Sequence, residues 1–161
     1  TEMRQYRTLT TSYAQADAAT SNVILTAPQP SATNHKGGTV AFDNAGRLLI
    51  SLGDGGNTPA ASQDPNSLRG KILRIDPTTD AFPADASRDY AIPASNPFAA
   101  AGGLPEILAM GLRNPFRLSV DRVRSTAFPR TPRASPIMAG PIAKGRNPTA
   151  AGRIVRPSPC P

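Results

Sequence analysis

His35 is the only histidine among 161 residues, and it stands in a short polar and glycine segment, Asn34-His35-Lys36-Gly37-Gly38. Imidazole exchanges protons in the physiological range, so a loop histidine is a candidate general base. A carboxylate lies in a second glycine loop, Gly53-Asp54-Gly55-Gly56. A guanidinium occurs in a third, Gly111-Leu112-Arg113-Asn114-Pro115, where the proline restricts the backbone near Arg113. Each has a plain structural explanation: a solvated loop histidine, an Asp-Gly turn, a surface arginine. Together, a base, a carboxylate to orient it and a cation suit proton abstraction with stabilisation of developing negative charge. Other chemistries are unsupported. No Walker or GxGxxG loop precedes a helix. One histidine and one near-terminal cysteine, Cys160, make neither a zinc site nor an internal disulfide.

The three loops are useful only if strands bring them together. Thr39 to Phe42 and Leu48 to Leu52 are apolar runs of strand length joined by Asp43-Asn44-Ala45-Gly46, the pattern of a β-hairpin. The second strand of a hairpin returns beside the first. The loop before it and the loop after it therefore share one end, which predicts that His35 and Asp54 are neighbours. Further strands are expected at Met3–Leu9, Val23–Leu25, Gly70–Asp76, Glu106–Met110 and Arg117–Asp121. In Gly70–Asp76, Ile72 and Arg74 face one way and Lys71, Leu73 and Ile75 the other. Tyr13–Asn22 reads as a polar loop with a helical turn, and 77–104 as a long connection of the kind that usually serves a site. Short strands between Gly, Pro, Asn and Asp turns, with no helix beyond two turns, predict an all-β sandwich, barrel or propeller. The strands do not obviously close on themselves, and open edges are an aggregation hazard, so the chain reads as a piece of something larger.

Charge is unevenly distributed. Residues 1–124 hold twelve Lys/Arg against eleven Asp/Glu, whereas 125–161 hold six basic residues, no acidic one and eight of the eighteen prolines. The basic segment has no hydrophobic period and is expected to be a disordered tail outside any core. Its charges are dispersed and it has one aromatic residue, Phe128, which argues against a nucleic-acid partner. No apolar run has the ~20 residues of a membrane helix. No signal-peptide pattern is present, although a chain that opens without Met in strand-like text says little about its destination.

Five segments in order, NHKGG (34–38), FDNAGRLLISLGDGG (42–56), NSLRGKILRIDP (66–77), YAIPASNPF (90–98) and PEILAMGLRNPFRLSVDR (105–122), carry a specific resemblance. The chain resembles the soluble quinoprotein sugar dehydrogenases, the glucose/sorbosone dehydrogenase family, which uses pyrroloquinoline quinone (PQQ). The resemblance implies a fragment, about two to three blades, of a six-bladed β-propeller over 1–122, followed by a non-homologous tail over 123–161. It implies that His35 takes the proton from an aldose's anomeric hydroxyl, that Asp54 orients His35, and that hydride passes from C1 to PQQ, giving a lactone. Arg113 becomes the cation against the cofactor's developing oxyanion, with Asn114 beside it and Gln63 a looser match to a cofactor-side glutamine. Asn34 and His35 become substrate contacts. An external electron acceptor and a periplasmic or secreted setting are also implied.

The text departs from the family after Arg122. The segment expected to help hold the activating calcium ion is absent, so no metal ligand is expected in this chain, and the remaining blades are missing too. The tail reads as an out-of-frame translation or an unrelated fusion. The expectation is an enzyme lineage whose isolated chain is inactive. The competing expectation is a non-catalytic propeller module that binds carbohydrate or protein.

Overall fold

The computed structural model describes residues 1–9, 12–121 and 137–139. Its centre is a four-stranded antiparallel sheet in sequential order β5-β6-β7-β8. The strands are β5 (Val40–Phe42), β6 (Leu48–Leu52), β7 (Lys71–Ile75) and β8 (Ile107–Met110). Three two-stranded pairs surround it. β1 (Glu2–Gln5) pairs with β4 (Asn22–Thr26), β2 (Thr8–Leu9) with β3 (Ser12–Ala16), and β9 (Leu118–Val120) with β10 (Ile137–Ala139). The only helical pieces among the described residues are 3-10 turns at Ala18–Thr20 and Pro59–Ser62. The all-β expectation holds.

The predicted hairpin forms with Val40 opposite Ile50, Ala41 opposite Leu49 and Phe42 opposite Leu48. Its turn is fixed by Asp43, whose Oδ1 accepts from the Ala45 and Arg47 N–H groups, 2.9 Å each. β6 is buried at all five positions because β5 and β7 flank it and both its faces are covered. Register places Leu48 opposite Ile75, Ile50 opposite Leu73 and Leu52 opposite Lys71. These share a face with Ile24, Leu25, Tyr90 and Ile107, which form one apolar cluster. Fully burying each such aliphatic side chain stabilises by about 1.5–3 kcal/mol. The alternation expected for Lys71–Ile75 is the one observed, and it puts Lys71 on the core face.

Two local expectations need correction. Met3–Leu9 is not one strand: pairing slips between Met3 and Arg4, and the chain breaks into β1 and β2 around Tyr6-Arg7. Tyr13–Asn22 is not simply loop. Its start belongs to β3, whose sequence, SYAQA, has no apolar alternation to reveal it. The helical turn follows at Ala18–Thr20, where Asp17 Oδ1 accepts from the Ala19 N–H. The 77–104 segment contains no named strand, as expected of a connection. It is stitched back by bridges between Leu25 and Arg88 and between Asp76 and Ala91, and it delivers Tyr90 to the core. The expected disordered tail lies outside the described residues, save Ile137–Ala139, which pair with β9.

Candidate active site

The hairpin brings its two flanking loops together. Gly55 N–H donates to the His35 carbonyl (3.1 Å), and Gly38 N–H donates to the Ser51 carbonyl (3.2 Å). At Gly53 the approach is so close that a methyl group would overlap the His35 carbonyl. Gly56 has φ +85°, and a Cβ there would overlap the Asn34 side-chain oxygen. Glycine is needed at both positions by contact, and at Gly56 by conformation as well.

The residues singled out from sequence meet here. His35 Nδ1 lies 2.9 Å from Asp54 Oδ1. A carboxylate oxygen accepts, so Nδ1 carries the proton in this pair and Nε2 is the basic atom. Nε2 makes no hydrogen bond among the described residues, and the His35 side chain is 17% exposed against 2% for Asp54. His35 has φ +52°, the only non-glycine residue with positive φ among those described. This left-handed backbone costs about 1–3 kcal/mol for a residue with a Cβ.

Asp54 is fixed from several sides. Its N–H donates to the Arg113 carbonyl (2.8 Å), Oδ1 also accepts from Gly56 N–H (2.9 Å), and its carbonyl accepts from Thr58 Oγ1 (2.6 Å). Asn114 enters through its side chain, whose Oδ1 accepts from Gly37 N–H at 3.0 Å. The segment 111–114 thus joins both glycine loops. Arg113 contributes its carbonyl, while its guanidinium stands exposed. Asn34 is exposed at the rim, against Gly56. Gln63 is exposed at the end of the Pro59–Ser62 turn and has no hydrogen bond to His35 or Asp54. The arrangement brings Asn34, His35, Asp54, Arg113 and Asn114 together; Gln63 follows Ser62, whose carbonyl accepts from the Gly111 N–H at 2.7 Å.

Sequence reasoning missed the groups that hold the loop between β6 and β7. Arg69 Nη1 donates to Thr58 Oγ1 at 2.9 Å. Lys71 Nζ, fully buried, donates to the carbonyls of Ala61, Ser62 and Arg69 at 2.8, 2.9 and 2.8 Å. Burial pushes the Lys71 ammonium down to about 8, Asp64 works against that shift and Arg69 with it. A lysine at a core-facing strand position was the available signal, since such a charge needs partners. Among the described residues no group of three or more His, Cys, Asp or Glu could hold a metal ion, and no helix is long and apolar enough to cross a membrane.

The sequence family described as Glucose / Sorbosone dehydrogenase matches residues 4–126. HIPL2 protein of Arabidopsis thaliana is 39% identical over 114 residues, covering 65% of this chain and 16% of that protein. Aldose sugar dehydrogenase YliI of Escherichia coli is 39% identical over 89 residues, covering 55% of this chain and 21% of its own. Hedgehog-interacting protein of Homo sapiens is 37% identical over 112 residues, covering 67% and 15%. A solved glucose dehydrogenase superposes with a TM-score of 0.53 at 30% identity, covering 70% of this chain and 29% of that one. The chain therefore spans between 15% and 29% of the length of these relatives.

Proposed function

The chain belongs to the glucose/sorbosone dehydrogenase family, and from that premise we propose that it supplies the proton-handling part of an aldose dehydrogenase site. The carrying observation is the His35–Asp54 pair, with Nδ1 engaged at 2.9 Å and Nε2 free on the exposed side. In this reading His35 Nε2 takes the proton of the anomeric hydroxyl. Asp54 keeps the other nitrogen protonated, holds the ring and stabilises the imidazolium once it forms. Asn34, at the rim, takes a sugar hydroxyl. As C1 loses its hydrogen with two electrons, the product is the lactone.

The implied cofactor, PQQ, fits the donors present in part. An exposed guanidinium at Arg113 and amide donors at Asn114 and Gln63 suit an anion bearing carboxylate and quinone oxygens. Asn114 already commits Oδ1 to Gly37, which leaves its NH2 as the donor to offer. Bound PQQ would supply the two-electron acceptor for the C1 hydrogen. Calcium does not fit the described residues, because they contain no suitable acidic group.

We read the β5–β8 sheet as one blade of a six-bladed β-propeller, in which 1–122 is the partial propeller and 123–161 a separate, non-homologous tail. The remaining blades, the calcium ligands and further cofactor contacts then come from sequence beyond this chain, and the isolated chain is inactive. The proposed setting is the periplasm or the extracellular space, with an external electron acceptor.

The test replaces the matching segment of the Escherichia coli aldose sugar dehydrogenase with residues 4–121 of this chain and follows dye-linked glucose oxidation with PQQ and calcium. The chimera is expected to turn over, and His35→Ala to lower turnover by about 10²–10⁴-fold. Unchanged turnover in His35→Ala would sink the base assignment. His35-dependent oxidation by the isolated chain would sink the need for further blades. A second reading follows from the 37% identity to a protein named for an interaction, Hedgehog-interacting protein. In it the chain is part of a non-catalytic carbohydrate- or protein-binding module. That reading predicts an inactive chimera and indifference to substitution at His35.

A further inference from the structure

The loop between β6 and β7 runs from Gly53 to Gly70, with Asp54 near its start and Arg69 near its end. It pairs with no strand of the sheet and carries only the 3-10 turn Pro59–Ser62. Such a loop would ordinarily wander, yet Asp54 has to present one carboxylate oxygen to His35. Two side chains cross-link its ends. Thr58 precedes the turn but makes no side-chain capping bond to it, so its hydroxyl is free for other work. That hydroxyl donates to the Asp54 carbonyl at 2.6 Å and accepts from Arg69 Nη1 at 2.9 Å. Arg69 is itself anchored, because its carbonyl accepts from the buried Lys71 ammonium at 2.8 Å.

We propose that Thr58 and Arg69 are positioning residues that latch the Asp54 main chain and thereby set the His35–Asp54 contact. A hydrogen bond from a guanidinium is roughly twice as strong as a neutral one, and it polarises the hydroxyl that accepts it. The bond from Thr58 to Asp54 is therefore stronger with Arg69 in place than without it. The other restraints on Asp54 come from the Arg113 carbonyl and the Gly56 N–H; the latch ties Asp54 through side chains to the far end of its own loop, alongside the main-chain bond from Leu112 N–H to the Gly70 carbonyl. Reacting groups displaced by about 1 Å lose on the order of 10²-fold in rate, which is why such a restraint matters at a base. The role rests on the reading of His35 as the base.

Because His35 is the sole histidine, nitrogen-15 NMR of the full chain reports this one imidazole without any cofactor or turnover. The wild type is expected to show the Nδ1-protonated tautomer and a low-field, slowly exchanging Nδ1–H signal. Thr58→Val keeps the shape and removes the hydroxyl; Arg69→Met removes the cation. Each is expected to speed Nδ1–H exchange about tenfold and to mix the tautomers. Thr58→Ser should restore the wild-type pattern, and Thr58→Val added to Arg69→Met should do little more than either alone. Amide protection in β6 and β7, read on the same samples, should be unchanged. The latch is overturned if Thr58→Val and Arg69→Met leave the imidazole spectrum as in wild type. It is equally overturned if Thr58→Ser fails to restore that spectrum, or if protection of β6 and β7 collapses with it. An active His35→Ala chimera alongside perturbed latch spectra would defeat the base assignment while leaving the latch standing.

Discussion

Two buried carboxylates in this molecule have opposite fates. Asp54 and Glu106 are 1% and 3% exposed, and each accepts two hydrogen bonds on one oxygen. The Asp54 oxygen takes the Gly56 N–H and the His35 ring. Glu106 Oε1 takes the Tyr90 hydroxyl at 2.6 Å and Arg88 Nη2 at 2.8 Å, and Arg88 stacks over the Phe82 ring at 3.6 Å. Tyr90 is sealed in the core, and burial there, reinforced by Glu106, pushes its hydroxyl far above the usual range. It therefore stays a neutral donor that binds the 77–104 segment to the sheet. His35 is half-buried and has a second nitrogen to spare. The two carboxylates thus differ in their partners: the His35 ring keeps an unbonded nitrogen, whereas the Tyr90 hydroxyl is engaged by both Glu106 and Arg88.

Substitutions separate the two regions. Asp54→Asn in the chimera should cut turnover by about 10²–10⁴-fold, because the amide no longer selects the imidazole tautomer. Its melting temperature should move far less than that of Glu106→Ala. Glu106→Ala strands Arg88 and Tyr90 and should cost the isolated chain about 3–5 kcal/mol in urea unfolding. Equal activity losses per folded molecule from both substitutions would erase the distinction. Tyr90→Phe removes one hydrogen bond from Glu106 and should destabilise by about 1–2 kcal/mol.

Lys71 supplies a pH test. Its folded value, about 8, lies below the ordinary 10.5. Between these values the unfolded chain binds more protons than the folded one, so wild-type stability should rise with pH across that window. Lys71→Met should flatten the rise in denaturant titrations, and an identical slope would remove Lys71 as its source. The smallest effect belongs to the exposed Arg4–Glu2 pair, where Arg4→Ala should change stability by less than about 0.5 kcal/mol.

Much of the frame was legible because it is local. Asp43-Asn44-Ala45-Gly46 between apolar runs specified the hairpin, and the hairpin predicted that His35 and Asp54 meet. What stayed hidden depends on partners that no period encodes. β3 shows no apolar alternation, and it is its pairing with β2 that defines it. Arg113 was singled out for its guanidinium, but the group that touches Asp54 is its main-chain carbonyl, which any residue there would offer. Thr58 and Arg69 find each other across a loop whose path is set by Lys71, and nothing in their own neighbourhoods announces it. Asn114 was expected beside a cofactor; what the structure shows is its oxygen holding the Gly37 N–H.

The backbone at His35 sets a cost against the side chain it carries. A chain chosen for stability alone would carry glycine at this position, since φ +52° suits glycine and penalises a side chain. His35→Gly is therefore the substitution that gains conformational ease while discarding the imidazole.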